Sequence, residues 1–590
     1  MNSDASPTDN GHAYPLYFGP TERSRFGWIH LPSQSAPPRD LGVVLCGPFG
    51  YEALCFHRSL RHLAIAATGI GVPAIRFDYD GTGDSTGADL DPDRVAQWIQ
   101  SIDDAVDVLR AKTGVSRVCV VGIRLGALLA ASAPERLDVC ASVHIAPISS
   151  GRAWLREMKA VQAAMGRPEP PPSLALPEGV AEFVGIRLDR EAQDAVTQLD
   201  ATRIERAPSQ VLVIDRDDRA PSAALVARLT AVGSRTEHLV TSGFVEATLD
   251  PHEARVPEAM ISQVVAFLDR VAGADRLAAI PTAPAPPAPI IAAPGVTEQA
   301  VFLDRERCLF GVVSTPTGRP PERALLLLNS GANPHIGNGR MYVTFARRLA
   351  EQGWLVLRYD LSGIGDSAAP AGGRENDVYS VRAASDLATA IAYVQERHGL
   401  AAPELAGLCS GAYHGFRAAV AGPGIGGLLV INPLVFYWKE GMSLAYPPFQ
   451  TIAAAERYGQ AIRDWSKWRK LLRGEVAIGA AIRVVASRLR ARGRSFLNEA
   501  TRALGVPRPE DLGADLDRAI ARGTRVRFVF SEGDPGERLL QDGAGSVLRK
   551  RVESGEVHVE HLPNCDHSLS CSWMQEMLWA ALSTSLSVRR

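Results

Sequence analysis

The sequence predicts two tandem α/β domains, each a mostly parallel sheet flanked by helices, and three observations lead there. A ten-residue segment occurs twice: Arg76-Phe77-Asp78-Tyr79-Asp80-Gly81-Thr82-Gly83-Asp84-Ser85 returns as Arg358-Tyr359-Asp360-Leu361-Ser362-Gly363-Ile364-Gly365-Asp366-Ser367. Other landmarks recur in the same order. Arg25-Phe26-Gly27-Trp28 resembles Leu309-Phe310-Gly311-Val312, and the run Leu41 to Cys46 resembles Ala324 to Leu328. Within each copy, short apolar runs with β-branched residues alternate with longer amphipathic segments, the pattern of parallel strands covered by helices. A chain of 590 residues also exceeds what one hydrophobic core supports.

The copies are expected at 12–272 and 296–586, joined by a linker over 273–295. Pro281 to Pro294 is rich in Pro and Ala and favours extended polyproline II geometry. In the second copy, Leu325 to Leu328 and Trp354 to Tyr359 read as buried strands around a helix from Met341 to Gln352. Leu405 to Leu408 and Arg525 to Phe530 continue that sheet. A long, mostly helical insertion over about 435–521 is expected to sit over the active site as a cap.

Bulk properties narrow the function by exclusion. With 46% hydrophobic and 22% charged residues the composition is that of a globular protein, and a net charge of -2 gives no global attraction to nucleic acid or anionic lipid. No apolar run approaches the roughly 20 residues that span a bilayer, and Met1 to Asn10 lacks a signal-peptide core. A soluble cytoplasmic protein is expected. The eight cysteines are dispersed, without CxxC knuckles or a disulfide framework, so most read as reduced core residues. No P-loop, Rossmann fingerprint or metal-ligand cluster is evident, and the chemistry is expected to need no cofactor.

Gly407-Leu408-Cys409-Ser410-Gly411 follows a buried strand and precedes the helix-compatible segment Ala412 to Ala421. It fits the G-x-S-x-G nucleophile elbow with Cys in place of Ser, where a sharp strand-to-helix turn leaves no room for flanking side chains. A helix N-terminus there favours thiolate. Taken alone, Cys409 reads equally as a small buried residue at a strand end. Downstream, Phe528-Val529-Phe530-Ser531-Glu532-Gly533-Asp534 puts a carboxylate just past a strand, and Asn564-Cys565-Asp566-His567-Ser568-Leu569 puts a histidine on a later loop. The order is nucleophile, acid, base.

In that triad His567 takes the thiol proton or holds the thiolate as an ion pair, while Asp534 fixes the tautomer and stabilises the imidazolium. Glu532 and Asp566 are alternative acids. An oxyanion hole needs two backbone donors, expected at Ser410 and in the Gly331-Ala332 region. His335, in the same loop, reads either as a substrate contact or as a solvated side chain. Asp360 to Ser367 reads as a structural turn, because the first copy keeps the pattern without a nucleophile.

At these residues the chain resembles the α/β-hydrolase superfamily, particularly bacterial hydrolase-like proteins associated with exosortase and exopolysaccharide loci. Their elbows include G-L-C-x-G-A and G-L-R-x-G-A types. This chain resembles a fusion of the two, with Gly407-Leu408-Cys409-Ser410-Gly411-Ala412 in one half and Gly122-Ile123-Arg124-Leu125-Gly126-Ala127 in the other. The resemblance implies fold more narrowly than reaction. Arg124 stays protonated and cannot attack a carbonyl, so the first elbow is expected to be noncatalytic. Its guanidinium reads either as an anion-binding group or as the partner of a buried Asp78, Asp84 or Asp218. Aligning Glu237-His238-Leu239 with Glu560-His561-Leu562 sets Phe244 or Val245 opposite His567. A second alignment retains Asp218 and His252.

A cysteine nucleophile favours acyl transfer, since a thioester intermediate is readily attacked by amines and thiols. The resemblance extends to cysteine elbows of polyhydroxyalkanoate synthases and of aminoacyl shuttles between carrier proteins. The expected function is an acyltransferase or thioesterase acting on an activated acyl group. The alternatives are a plain carboxylic-ester hydrolase and a noncatalytic scaffold of two pseudo-hydrolase domains. Arg457 to Arg494, with Trp465 and Trp468, reads as a basic face for an acidic acyl or peptidyl carrier protein or as an ordinary solvated helix face.

Overall fold

Apolar, β-branched runs that are buried on both faces become the central strands of two sheets. The computed structural model describes residues 12–132, 138–279, 281–422, 424–442 and 509–587, together with 497, 501 and 504. In the first repeat the strands are β1 (Ala13–Phe18), β2 (Arg25–His30), β3 (Leu41–Cys46), β4 (Ala74–Phe77), β5 (Arg117–Ile123), β6 (Ala141–Ile145), β7 (Ala181–Glu182), β8 (Arg187–Leu188), β9 (Gln210–Arg216) and β10 (Arg235–Thr241). All but β7 and β8, which form a separate ribbon, join one sheet ordered β1-β2-β4-β3-β5-β6-β9-β10. β1 and β2 are antiparallel at one edge, and every pair from β4 onward is parallel. The period of two is visible along β3, whose Leu41, Val43 and Leu45 enter one core layer while Val44 and Cys46 enter the other.

The second sheet uses β11 (Ile290–Ala293), β12 (Val296–Phe302), β13 (Phe310–Pro316), β14 (Arg323–Leu328), β15 (Trp354–Tyr359), β16 (Glu404–Leu408), β17 (Gly427–Ile431), β18 (Arg525–Ser531) and β19 (Val557–Leu562). Its order is β11-β12-β13-β15-β14-β16-β17-β18-β19, so β12 to β19 reproduce the first sheet strand for strand. β11 is an addition, and it lies in the stretch expected to be a linker. The prolines there thin out after Pro289, leaving Ile290 and Ile291 free to donate to a ladder, and Gly295 at φ 74 turns the chain back onto β12.

By packing, the chain divides into two compact units. One contains residues 1–325, 331–378 and 569–576; the other contains 326–330, 379–568 and 577–590. The expected cap falls largely outside the described residues, as does the whole basic segment Arg457 to Arg494 with its tryptophans. Of the cap, the helix Leu512–Ala521 is described, capped by the Asp511 carboxylate on the amides of Gly513 and Ala514.

Within the first unit the two copies of the repeated motif fold alike and then exchange partners. In each copy the serine hydroxyl donates to the first aspartate's carbonyl at 2.7 Å, Ser85 to Asp78 and Ser367 to Asp360. In each, that serine oxygen also accepts from a strand amide at 2.9 Å, Phe26 in one copy and Phe310 in the other. The second aspartate reaches across. Asp84 pairs with Arg358 at 2.6 Å, and Asp366 pairs with Arg76 at 2.6 Å. Histidines complete the exchange, His335 to Asp84 at 2.7 Å and His57 to Asp366 at 3.1 Å. Beside these pairs the equivalent rings Phe26 and Phe310 stack with centroids 6.0 Å apart.

Burial works against every one of these charges. Opposite charge wins for Asp84, which His335 and Arg358 hold well below the usual carboxylate range. It wins likewise for Asp366 through Arg76 and His57. Arg340 adds a clamp, its guanidinium donating to the carbonyls of Gly83 (2.7 Å), Gly81 (3.0 Å), Gly87 (2.7 Å) and Ser85 around the first copy's turn. Breaking such a pair leaves its partner charged and buried. Asp84→Asn is therefore expected to destabilise the chain by about 3–5 kcal/mol at neutral pH. Because Asp84's pKa is lowered on folding, its contribution is present above about pH 4 and is lost as pH falls through the folded value. Denaturant melts should show the wild-type and Asp84→Asn curves far apart at pH 7 and converging below about pH 4.

Candidate active site

Two strand-to-helix turns are built identically. At the end of β16, Cys409 has φ 57 and ψ -111 before the helix Ser410–Ala421; at the end of β5, Arg124 has φ 56 and ψ -119 before the helix Leu125–Ala131. Positive φ at non-glycine residues is strained, and the turn persists because its neighbours are packed too closely to relax. A Cβ on Gly407 would sit 2.2 Å from the Gly411 carbonyl carbon, and one on Gly411 would sit 2.7 Å from the Asn329 oxygen. The Cys409 amide donates to Ile431 at 2.9 Å, which fixes the thiol at the strand's carboxyl end. Cys409 is half-buried. Burial pushes the thiols of Cys46, Cys119 and Cys140 up, and that of Cys55 to about 12, which marks these as inert core groups.

Past β18, the Asp534 carboxylate caps the helix Pro535–Glu553 by accepting from the Gly536 amide at 2.9 Å. Its other oxygen lies 2.7 Å from His567 Nδ1. Burial opposes charge on His567, but hydrogen bonds with Asp534 and then Cys409 outweigh it and push the pKa up to about 10. The alternative acids point elsewhere: Glu532 accepts from the Asn564 amide at 3.0 Å, and Asp566 accepts from the Ser568 hydroxyl at 3.3 Å.

A residue that the sequence reading passed over holds the histidine loop in place. Asn432, fully buried after β17, donates to the His567 carbonyl and to Ser531 Oγ at 2.9 Å each and accepts from the Ser531 amide at 2.7 Å. Ser531 Oγ in turn donates to Asp566 at 2.8 Å. The available signal was an asparagine directly after a buried strand and before Pro433, where the first copy has Ala146 before Pro147.

The remaining predicted residues fall as follows. Ser410 opens the helix after Cys409, its hydroxyl 3.4 Å from the Asn329 carbonyl. Gly331 (φ 60) and the buried Ala332 lie in the loop after β14. His335, expected either at substrate or in solvent, is 1% exposed and pinned between Asp360 on Nδ1 and Asp84 on Nε2, both at 2.7 Å. Burial disfavours its charge, yet Asp360 and Asp84 hold its pKa well above the ordinary value. Both ring nitrogens are occupied. The only group of metal-ligating side chains among the described residues is His335, Asp360 and Asp366; Asp360 is paired with His335 itself and Asp366 with Arg76, so the group reads as part of the ion-pair network.

Arg124 does not pair with Asp78, Asp84 or Asp218. It is held by Glu52 at 3.0 Å and Glu157 at 2.9 Å, carboxylates from the helices that follow β3 and β6. Counting from the paired strand ends Arg216–Thr241 and Ser531–Leu562 puts Arg219 at the position of Asp534 and Glu246, rather than Phe244 or Val245, at that of His567. Asp218 bonds Arg216 at 2.6 Å, and His252 lies 3.9 Å from Glu253. The first elbow therefore keeps the turn and lacks the nucleophile, acid and base.

Residues 320–477 match the family model described as serine aminopeptidase, S33, and this segment runs from β14 through the cysteine elbow. No curated protein matches the chain. Among solved structures, similar chains include an α/β serine hydrolase without a lid from Xanthomonas campestris (16% identity, 44% of this chain and 93% of that chain, TM-score 0.29). Est1E from Butyrivibrio proteoclasticus is similar at 17% identity, 44% and 100% coverage and TM-score 0.32. An α/β serine hydrolase homologue from Coxiella burnetii is similar at 14% identity, 44% and 96% coverage and TM-score 0.28.

Gly407→Ala should destabilise by at least about 1–3 kcal/mol in denaturant melts, because neither the added methyl nor the backbone it meets has room to move. Gly69→Ala is the control: a Cβ there meets nothing within 4 Å, and its melt should match wild type. Arg124→Ala should lower the melting temperature by leaving Glu52 and Glu157 uncompensated, while iodoacetamide still labels Cys409 at the wild-type rate.

Proposed function

We propose that this chain is a cysteine-dependent acyltransferase or thioesterase in which Cys409 carries the acyl group as a thioester, with His567 as acid and base and Asp534 as its orienting carboxylate. The observation that supports this most is the 2.7 Å Asp534–His567 bond, made by a carboxylate that also caps a helix N-terminus, with Cys409 among the groups that raise the histidine's pKa. The Ser410 amide and the Gly331-Ala332 region are the backbone donors of the oxyanion hole in this reading. Residues 296–586 are the catalytic domain and 12–272 a noncatalytic relative, since Arg124 is doubly ion-paired where attack would originate.

The donor is an activated acyl thioester or ester. A carrier-bound form suits the basic composition of Arg457 to Arg494. Transfer is favoured over hydrolysis because an acyl-cysteine reacts readily with amine and thiol acceptors. The competing reading, ester hydrolysis, draws support from the serine aminopeptidase match over residues 320–477. No helix among the described residues is long and apolar enough to cross a membrane.

Intact-protein mass spectrometry after incubation with butyryl-N-acetylcysteamine should show one acyl adduct on wild type and none on Cys409→Ala. Asp534→Asn should lower kcat by about 10²–10⁴-fold, since the histidine loses the group that orients it. Added amine or thiol should speed decay of the adduct. Decay to free acid at the rate of overall turnover, unaffected by any acceptor, would favour the hydrolase instead.

A further inference from the structure

One polar atom near Cys409 is not used by the triad. Tyr379, which begins the second unit ahead of the helix Ala383–His398, is 6% exposed, and its hydroxyl has no hydrogen-bond partner among the described residues. Buried hydroxyls are nearly always satisfied, so an orphan of this kind calls for an explanation. Its ring cannot swing away to find a partner. It stacks on Trp438 with centroids 4.1 Å apart and planes at 15°, meets the Tyr413 ring edge-on at 5.2 Å, and lies 6.0 Å from His414. Tyr413 and His414 belong to the helix that Ser410 opens, and the Tyr413 amide bonds the Cys409 carbonyl at 3.3 Å. The phenol is thus fixed against the first turn of the nucleophile's own helix.

Burial, then the charges of Cys409 and Tyr413, push the phenol's pKa up, so the group stays protonated and is a donor only awaiting an acceptor. It feels the cysteine without bonding its sulfur.

We propose that the Tyr379 hydroxyl is a catalytic hydrogen-bond donor to the acyl oxygen of the substrate, an inference that rests on Cys409 being the nucleophile. When Cys409 Sγ attacks, its proton passes to His567, a sulfur–carbon bond forms and the carbonyl π pair moves onto that oxygen, which accepts from Tyr379 O–H and from the Ser410 amide. Collapse of the intermediate restores the carbonyl and expels the leaving group, which takes its proton from His567. Tyr379 keeps its own proton throughout. A preorganised donor of this sort acts most strongly where charge develops, so its removal affects the chemical step more than binding.

Tyr379→Phe deletes the oxygen and keeps the stacked ring, so the full chain carrying it is the test protein. With butyryl-N-acetylcysteamine, acyl-Cys409 formation and kcat should fall about 10²-fold while KM stays within about 2-fold. Alkylation of Cys409 by iodoacetamide, which builds no oxyanion, should proceed at the wild-type rate, and the melting temperature should be unchanged. An unchanged acylation rate, a rise in KM alone, or a matching loss of alkylation would each overturn the role of Tyr379 while leaving Cys409 as nucleophile. An adduct that survives Cys409→Ala, or none on the unsubstituted protein, would overturn both.

Discussion

Arg76 and Arg358 occupy equivalent places in the two copies of one motif, and each neutralises the aspartate that closes the other copy's turn. Residue i of one copy meets residue j of the other, and j meets i, which is the signature of a self-complementary two-fold contact made here within a single chain. The constraint is severe because all four groups are buried, and a buried carboxylate without its arginine is far costlier than the intact pair. Histidine adds to both sides, and the aromatic stack of Phe26 on Phe310 excludes water from between them. The first repeat's β1–β4 edge and the second repeat's β12–β15 edge therefore stand or fall together.

The same backbone logic explains why both elbows keep one turn while presenting different side chains. Gly122 and Gly126 face backbone atoms at 2.4 Å from any added Cβ, as Gly407 and Gly411 do in the second copy, so packing alone demands the turn. What the turn presents is a separate matter. In one copy it presents a thiol; in the other it presents a guanidinium to Glu52 and Glu157, and Arg219, three residues past the end of β9 as Asp534 is past β18, lies 3.4 Å from the same Glu157. The same strand order thus holds a cysteine at one turn and a set of ion pairs at the other.

Much of this could be read from the chain. The repeated motif, the collinear landmarks and the alternation of strand and helix patterns predicted two sheets of the same order, and Asp534 and His567, singled out for their order after Cys409, lie 2.7 Å apart past β18 and β19. Pairings made across long sequence separations were hidden. Nothing near His335 in sequence announces that Asp84, 251 residues earlier, will hold its Nε2, so a loop histidine looked solvated. Arg124 was expected to find an aspartate, yet its partners come from two helices whose acidic residues look like ordinary surface charges in sequence. Asn432 was missed because one asparagine after a strand is common, and only its three bonds in space show that it ties β17 and β18 to the histidine loop.

The electrostatics of the buried His335 and the half-buried His567 run in the same direction. Each is raised above its ordinary value by flanking acidic groups in spite of burial, so each stabilises the fold fully below about pH 6.5 and loses that contribution as pH rises through its folded value. For His335 the partners are two carboxylates and the charge is locked into packing. For His567 the hydrogen bond to Asp534 is the first of the effects that outweigh burial, with Cys409 acting in the same direction.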